Sequence, residues 1–178
     1  MRGIVYLLAS AENLPFGDRQ FDLITISQAI HWVDKRKFFA AADRVLKPGA
    51  LVVAYDNYFQ AQMLGDPAFS DWYKTEFLKN YPVPPRGARS FATTRRSANR
   101  RDFVLVREEL NENEFEFSAS AMVDYLVTIT NVIAQVENGA QPIEEVYEWL
   151  AKSVEPFFNG NKRKFVVLNP VWFLRRDS

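Results

Sequence analysis

His31 is the only histidine in the chain, and it stands beside Trp32 in the run Gln28-Ala29-Ile30-His31-Trp32. An imidazole ordinarily titrates near neutrality, so it can accept a proton from a hydroxyl or an amine as a general base. A histidine against a tryptophan equally serves as a packed, hydrogen-bonded corner, and the residue types leave both uses open. With no cysteine and 1 histidine, the chain has no disulfide, thiolate metal site or cysteine nucleophile, and no histidine-rich metal site. Arg86, Arg89, Arg95, Arg96, Arg100 and Arg101 make a local basic cluster among small polar residues, either an anion site or a solvated surface segment. Globally, 22 Lys+Arg balance 22 Asp+Glu, so no net charge steers the protein toward nucleic acid or an anionic membrane. Aromatic residues reach 15% of the chain, 15 of them Phe; they predict ring packing in a core, with a ring-lined pocket as the alternative.

The elements that would position these residues follow from hydrophobic pattern. Ile4 to Ala9 reads as a short buried strand running into the turn Glu12-Asn13-Leu14-Pro15. Phe21 to Ser27 is a second strand, apolar enough throughout for the interior of a parallel sheet. From Lys35 the spacing turns helical: Phe38, Phe39, Ala42, Val45 and Leu46 share a stripe, Asp34 is the N-cap, and Lys47-Pro48-Gly49 the stop. Leu51 to Tyr55 resumes as strand, which completes a βαβ unit and an α/β fold class.

Beyond Asp56 an aromatic helix is expected over 66–80, within a lid or insertion over 57–101 of a single domain spanning 1–178. The prolines at 82, 84 and 85 end that helix. Strands are expected at Phe103 to Arg107 and Glu114 to Phe117. Next comes a helix capped by Ser118 or Ser120 and carrying Met122, Leu126, Ile129 and Ile133. A further helix begins at Pro142 and closes at Asn159-Gly160-Asn161, and Lys164 to Leu168 and Val171 to Arg175 are two strands or one bent strand. Apolar runs fall short of the roughly 20 residues a bilayer helix needs, and no signal peptide opens the chain, so a soluble, cytoplasmic protein is expected.

Ala11-Glu12-Asn13-Leu14-Pro15-Phe16, Phe21-Asp22-Leu23-Ile24 and Arg44-Val45-Leu46-Lys47-Pro48-Gly49, in this order and spacing, resemble the pattern of class I S-adenosylmethionine-dependent methyltransferases. With Gln28 to Trp32 they resemble the subgroup (methyltransferase type 11) that includes trans-aconitate methyltransferases, and Val123 to Leu126, Pro156 to Phe158 and Trp172 to Arg176 match it more weakly. The resemblance implies a Rossmann-like sheet with ligands at the carboxyl ends of its parallel strands. It implies S-adenosylmethionine as cofactor, with Ser10, Ala11 and Glu12 toward the adenine and Ser27, Gln28 and Ala29 toward the methionine. Ser10 stands where many relatives carry an aspartate, which leaves the backbone of Ala11 as the adenine contact; Glu12 is alternatively a turn or helix cap. On the acceptor side it implies Gln28, His31, Trp32, Tyr55 and Asn57, with Asp56 between the last two and with Trp72 and Tyr73 in a lid. A carboxylate acceptor needs alignment and desolvation but no base, whereas a neutral hydroxyl or amine would call on His31 as the catalytic base.

The same resemblance makes the sheet incomplete in its N-terminal half. Relatives begin with a strand, a glycine-rich turn and a helix that receive the cofactor, and the 7 glycines of this chain form no closely spaced loop. In the family's strand order, 3-2-1-4-5-7-6, the lost strands lie between Ile4 to Ala9 and Phe21 to Ser27, which exposes an edge. A truncated gene product or fragment is the expectation, whose methyl transfer to a small-molecule acceptor needs the missing segment. The alternative is a catalytically inactive interaction module, with a homo-oligomer formed through the exposed edge as one outcome. Neither nucleic acid nor membrane is expected as a partner.

Overall fold

The computed structural model describes residues 3–85 and 103–176. In chain order the elements are β1 (Phe21–Ser27), α1 (Lys35–Val45), β2 (Leu46–Tyr55), β3 (Tyr58–Met63) and α2 (Ala68–Trp72). A π-helical turn (Tyr73–Phe77) then leads into α3 (Leu78–Asn80), followed by β4 (Phe103–Phe117), α4 (Ala119–Val127), α5 (Thr130–Glu137), α6 (Ile143–Phe158) and β5 (Arg163–Arg176). They divide between two compact units, the first comprising 1–57, 86–111 and 169–178, the second 58–85 and 112–168.

The first unit holds the expected βαβ motif. β1 and β2 are parallel, with Ile24 opposite Val52 and Ser27 opposite Tyr55. Asp34 caps α1 by accepting the N–H groups of Arg36 and Lys37 at 2.9 and 3.1 Å, and Phe38, Ala41, Ala42 and Val45 form the buried face. The helix ends at Val45, one turn before the proline. Lys47-Pro48-Gly49 already lies in β2, where Gly49 supplies a left-handed φ of 75°. β2 then pairs antiparallel with β5, Tyr55 opposite Val171 and Leu51 opposite Arg175, and β4 also pairs with β5. By their pairings β1, β2, β5 and β4 thus follow one another as the fourth, fifth, seventh and sixth strands do in the order the resemblance implied.

One expectation fails in this unit. Ile4 to Ala9 has no regular structure, and Ile4, Tyr6 and Leu8 are 80%, 86% and 105% exposed. A strand needs a neighbour for its amides and a covering layer for its side chains, and no described element pairs with this run. β1, whose apolar pattern reads as interior, is an edge strand, as the incomplete sheet implied. Among the described residues it pairs with β2 alone, and Leu23 is half exposed.

The second unit accounts for the aromatic excess by packing. β3 pairs antiparallel with β5, Tyr58 opposite Leu168 and Met63 opposite Phe165. Phe165 is fully buried with its ring 4.8 Å from that of Phe69 and 6.0 Å from Phe158, in a core completed by Phe77, Tyr81, Met122, Leu126 and Leu150. Ser118 caps α4 by accepting the Ala121 N–H at 3.2 Å. The helix expected to run on to Ile133 breaks instead: Thr128 Oγ1 donates to the Tyr125 carbonyl at 2.7 Å, Ile129 turns extended, and α5 leaves at 59° to α4. A hydroxyl satisfying a C-terminal carbonyl offers the backbone an alternative to the next helical turn. Among the described residues no single helix is long and apolar enough to cross a membrane.

The two strands expected over 103–117 prove to be one element, and of the two readings of the last segment the single strand is the one found. β4 is continuous through Phe103–Phe117, and β5 runs through Pro170 without interruption. The proline is tolerated because β5 changes partner there, from β3 at Leu168 to β2 at Val171, so its missing N–H removes no bond from either ladder.

Candidate functional site

At the carboxyl ends of β1 and β2 the sequence assembles most of the expected acceptor-side residues. Gln28 leaves β1 with φ 49°, a left-handed conformation that costs a non-glycine residue roughly 1–2 kcal/mol, and its N–H donates to the Tyr55 carbonyl at 2.9 Å. Strained backbone of this kind persists where its surroundings hold it; here the holding bond crosses from one parallel strand end to the other. The chain then turns, with the Trp32 N–H donating to Ala29 at 2.9 Å. Ile30 and His31 go inward while Trp32 stays half exposed, its ring centroid 5.0 Å from the imidazole. Ser27 and Gln28 are exposed and Ala29 is half-buried.

Past β2 the chain delivers Asp56 to the interior. Its N–H donates to Pro170 at 3.1 Å, and Oδ1 accepts the Asn57 N–H at 2.9 Å. Oδ2 lies 3.8 Å from His31 Nδ1, both side chains being about nine-tenths or more buried. Tyr55 and Asn57 flank it at the surface, and Asn57 Oδ1 accepts the Asn169 side-chain amide. From the sequence, Tyr55, Asp56 and Asn57 were expected together at this strand end, lining the acceptor side. Only the fold reveals that Asp56 is buried and faces His31.

Ser10, Ala11 and Glu12 sit in the loop before β1. The Glu12 carboxylate accepts the Ser10 hydroxyl at 2.5 Å and the Asp34 N–H at 2.9 Å, and these two bonds, the Ser10 bond first, hold its pKa below the ordinary carboxylate value. Glu12 is therefore a turn cap joined to the start of α1. The loop is further held by Arg44, whose guanidinium donates to the carbonyls of Leu14 and Phe16 at 2.6 and 2.5 Å. Lys47 Nζ meets Asp22 at 2.9 Å, so the recurring Arg44 to Gly49 and Phe21 to Ile24 motifs contact each other. Ala11 is half-buried, and its amide finds no acceptor among the described residues.

Trp72 and Tyr73 belong to the second unit. Trp72 is buried beside Phe69, Phe77 and Phe157 and stacks on Trp149, and Tyr73 stacks on Phe77. Both pack within the second unit, where Phe69, Trp72, Tyr73 and Phe77 present rings to its core. Arg86, Arg89, Arg95, Arg96, Arg100 and Arg101 lie outside the described residues.

Comparison with known proteins bears on this site. Residues 1–54 match the family described as a methyltransferase domain. The chain is similar to the ubiquinone/menaquinone biosynthesis C-methyltransferase of Francisella tularensis subsp. novicida, 35% identical over 100 residues that cover 44% of this chain and 40% of that enzyme. The enzyme of the same name from Psychromonas ingrahamii is 46% identical over 54 residues, 30% of this chain and 22% of the relative. The chain thus aligns with less than half the length of these relatives. Among solved structures, a proposed type II methyltransferase from Anaeromyxobacter dehalogenans superposes with a TM-score of 0.64 at 22% identity, covering 99% of this chain and 73% of its own. A loganic acid methyltransferase determined with S-adenosylhomocysteine gives 0.55 at 12% identity, covering 96% and 65%. At such identities these likenesses establish the fold.

Proposed function

We propose that this chain, whose residues 1–54 belong to the methyltransferase domain family and whose fold is that of class I methyltransferases, contributes the strand-end part of a site for S-adenosylmethionine-dependent methyl transfer to a small-molecule acceptor. The observation that carries the reading is the Gln28 to Tyr55 bond, which joins the two parallel strand ends at a residue of left-handed φ. Ligands of open α/β sheets bind at such ends.

The residues present fit one side of the cofactor. The unspent Ala11 amide suits the edge of an adenine ring, beside Ser10 and Glu12, while Ser27, Gln28 and Ala29 would hold the methionine portion. When bound, S-adenosylmethionine supplies an electrophilic methyl group on a sulfonium. The chain's own residues align an acceptor and keep water from it: Trp32 and Tyr55 offer exposed rings, Asn57 and Gln28 offer amides, and His31 takes a proton from an acceptor that must lose one. A carboxylate acceptor arrives ionised and makes no use of that base. A carbon acceptor, as the name of the relatives implies for those enzymes, does.

Isothermal titration with S-adenosylhomocysteine tests the reading. Binding by the chain that weakens severalfold in Gln28→Ala is expected, and an absence of binding overturns it. A second reading, an interaction module, is favoured by the edge of β1 that no described strand pairs and by the exposed run Ile4 to Leu8. Self-association in sedimentation, without binding of S-adenosylhomocysteine, would support it in place of the first.

A further inference from the structure

We infer that Asp56 is a positioning residue for His31, its buried carboxylate keeping the imidazole proton on Nδ1 so that the basic lone pair resides on Nε2. The inference rests on the reading of His31 as the acceptor-side base, and it narrows the acceptor to a class that surrenders a proton on methylation.

The geometry begins with how firmly Asp56 is held. Its N–H is spent on the Pro170 carbonyl and its Oδ1 on the Asn57 N–H, which leaves little freedom to turn away from His31. Oδ2 is buried and has no hydrogen-bond partner among the described residues. A buried carboxylate oxygen without a donor is costly, and His31 Nδ1 stands 3.8 Å off. That separation exceeds a hydrogen bond, for which about 2.7–3.2 Å is usual, and at this distance between buried groups the interaction is electrostatic.

Two lone pairs facing each other across this gap would repel, whereas an Nδ1–H facing Oδ2 attracts. The tautomer with the proton on Nδ1 is therefore the one the carboxylate selects. The same carboxylate stabilises the imidazolium formed when Nε2 takes a second proton, the usual relation of a base to the group that orients it.

Other ionisable groups on the neighbouring elements are Tyr55, Asp34, Glu12 and Lys35. Tyr55 closes β2 at the surface. Asp34 turns its carboxylate to the amides of Arg36 and Lys37, and Glu12 is bonded to Ser10 and the Asp34 amide. Lys35 opens α1 half-buried, with burial lowering its pKa. On the His31 loop itself the neighbour is the neutral Trp32 ring. From β5 the contact to Asp56 is a backbone carbonyl.

The chain has 1 histidine, so its imidazole nitrogens give one assignable set of NMR signals in the 15N-histidine-labelled full chain. Nitrogen shifts showing Nδ1 protonated at alkaline pH are expected. In Asp56→Asn the imidazole titration midpoint should fall by about one pH unit, a roughly tenfold loss of proton affinity. Nε2 protonated in the native chain, or a midpoint unmoved in a folded Asp56→Asn, overturns the inference. If that variant unfolds, the tautomer of the native chain decides alone. Because neither readout needs a cofactor, failure to bind S-adenosylhomocysteine would remove the methyl-transfer reading while leaving this result to stand or fall by itself.

Discussion

Glu12 Oε1 accepts the backbone N–H of Asp34 at 2.9 Å across 22 residues of chain. Asp34 in turn caps α1, so the loop carrying Ser10 and Ala11 is fastened to the helix that follows the Gln28 to Trp32 turn. The carboxylate is an anchor between the two halves of the candidate site, and its chemistry is readable through pH.

The Glu12 pKa is lowered in the folded chain by the Ser10 hydroxyl and the Asp34 amide. A depressed carboxylate pKa adds stability above its unfolded value, ordinarily 4.5, and that stability is lost as pH falls through the folded value. Glu12→Gln should therefore melt at lower temperature than the native chain at pH 7. The gap should narrow as the pH is taken well below the ordinary carboxylate range. Equal melting temperatures at pH 7 would show that the anchor contributes nothing.

Removing the cap itself gives a separate signal. Asp34→Ala strips the acceptor from the Arg36 and Lys37 amides and should cost about 1 kcal/mol in denaturant unfolding, while Asp34→Ser should retain most of it. Ser and Ala variants of equal stability would assign the capping to water.

How far the sequence disclosed this arrangement depends on whether a residue's fate was local. The cap at Asp34, the strand Phe21–Ser27 and the helix from Lys35 are set by neighbours within a few positions, and all are observed. Ile4 to Ala9 has strand composition but depends on a partner strand, and it lies exposed. The break after Val127 depends on a competing hydroxyl at Thr128, invisible to apolar spacing. The positions of Gln28, Tyr55 and Asn57 at strand ends were legible from the strand pattern. The pairing of His31 with Asp56 was not, because a contact across 25 positions of chain carries no local pattern.

Gln28 separates stability from recognition. Its φ of 49° suits glycine, so Gln28→Gly should leave the chain as stable or more stable, by up to about 1 kcal/mol, whereas Gln28→Val should destabilise it. If the side chain meets the ligand, Gln28→Gly should nevertheless bind S-adenosylhomocysteine more weakly. A glycine variant both less stable and equally tight would refute the strain argument and the contact together.

A last contrast tests where the stability resides. Phe165 is fully buried, with rings of Phe59, Phe69, Phe117 and Phe158 within 6.0 Å of its centroid. Truncating it leaves a cavity that close-packed neighbours fill only in part, so Phe165→Ala should cost about 3–5 kcal/mol. Leu8 is as apolar but wholly exposed. Leu8→Ser should therefore change stability by no more than about 0.5 kcal/mol. Urea unfolding of the two variants beside the native chain measures both numbers. A cost for Leu8→Ser approaching that of Phe165→Ala would mean that Ile4 to Ala9 is covered in solution, as a paired strand of the sheet would be.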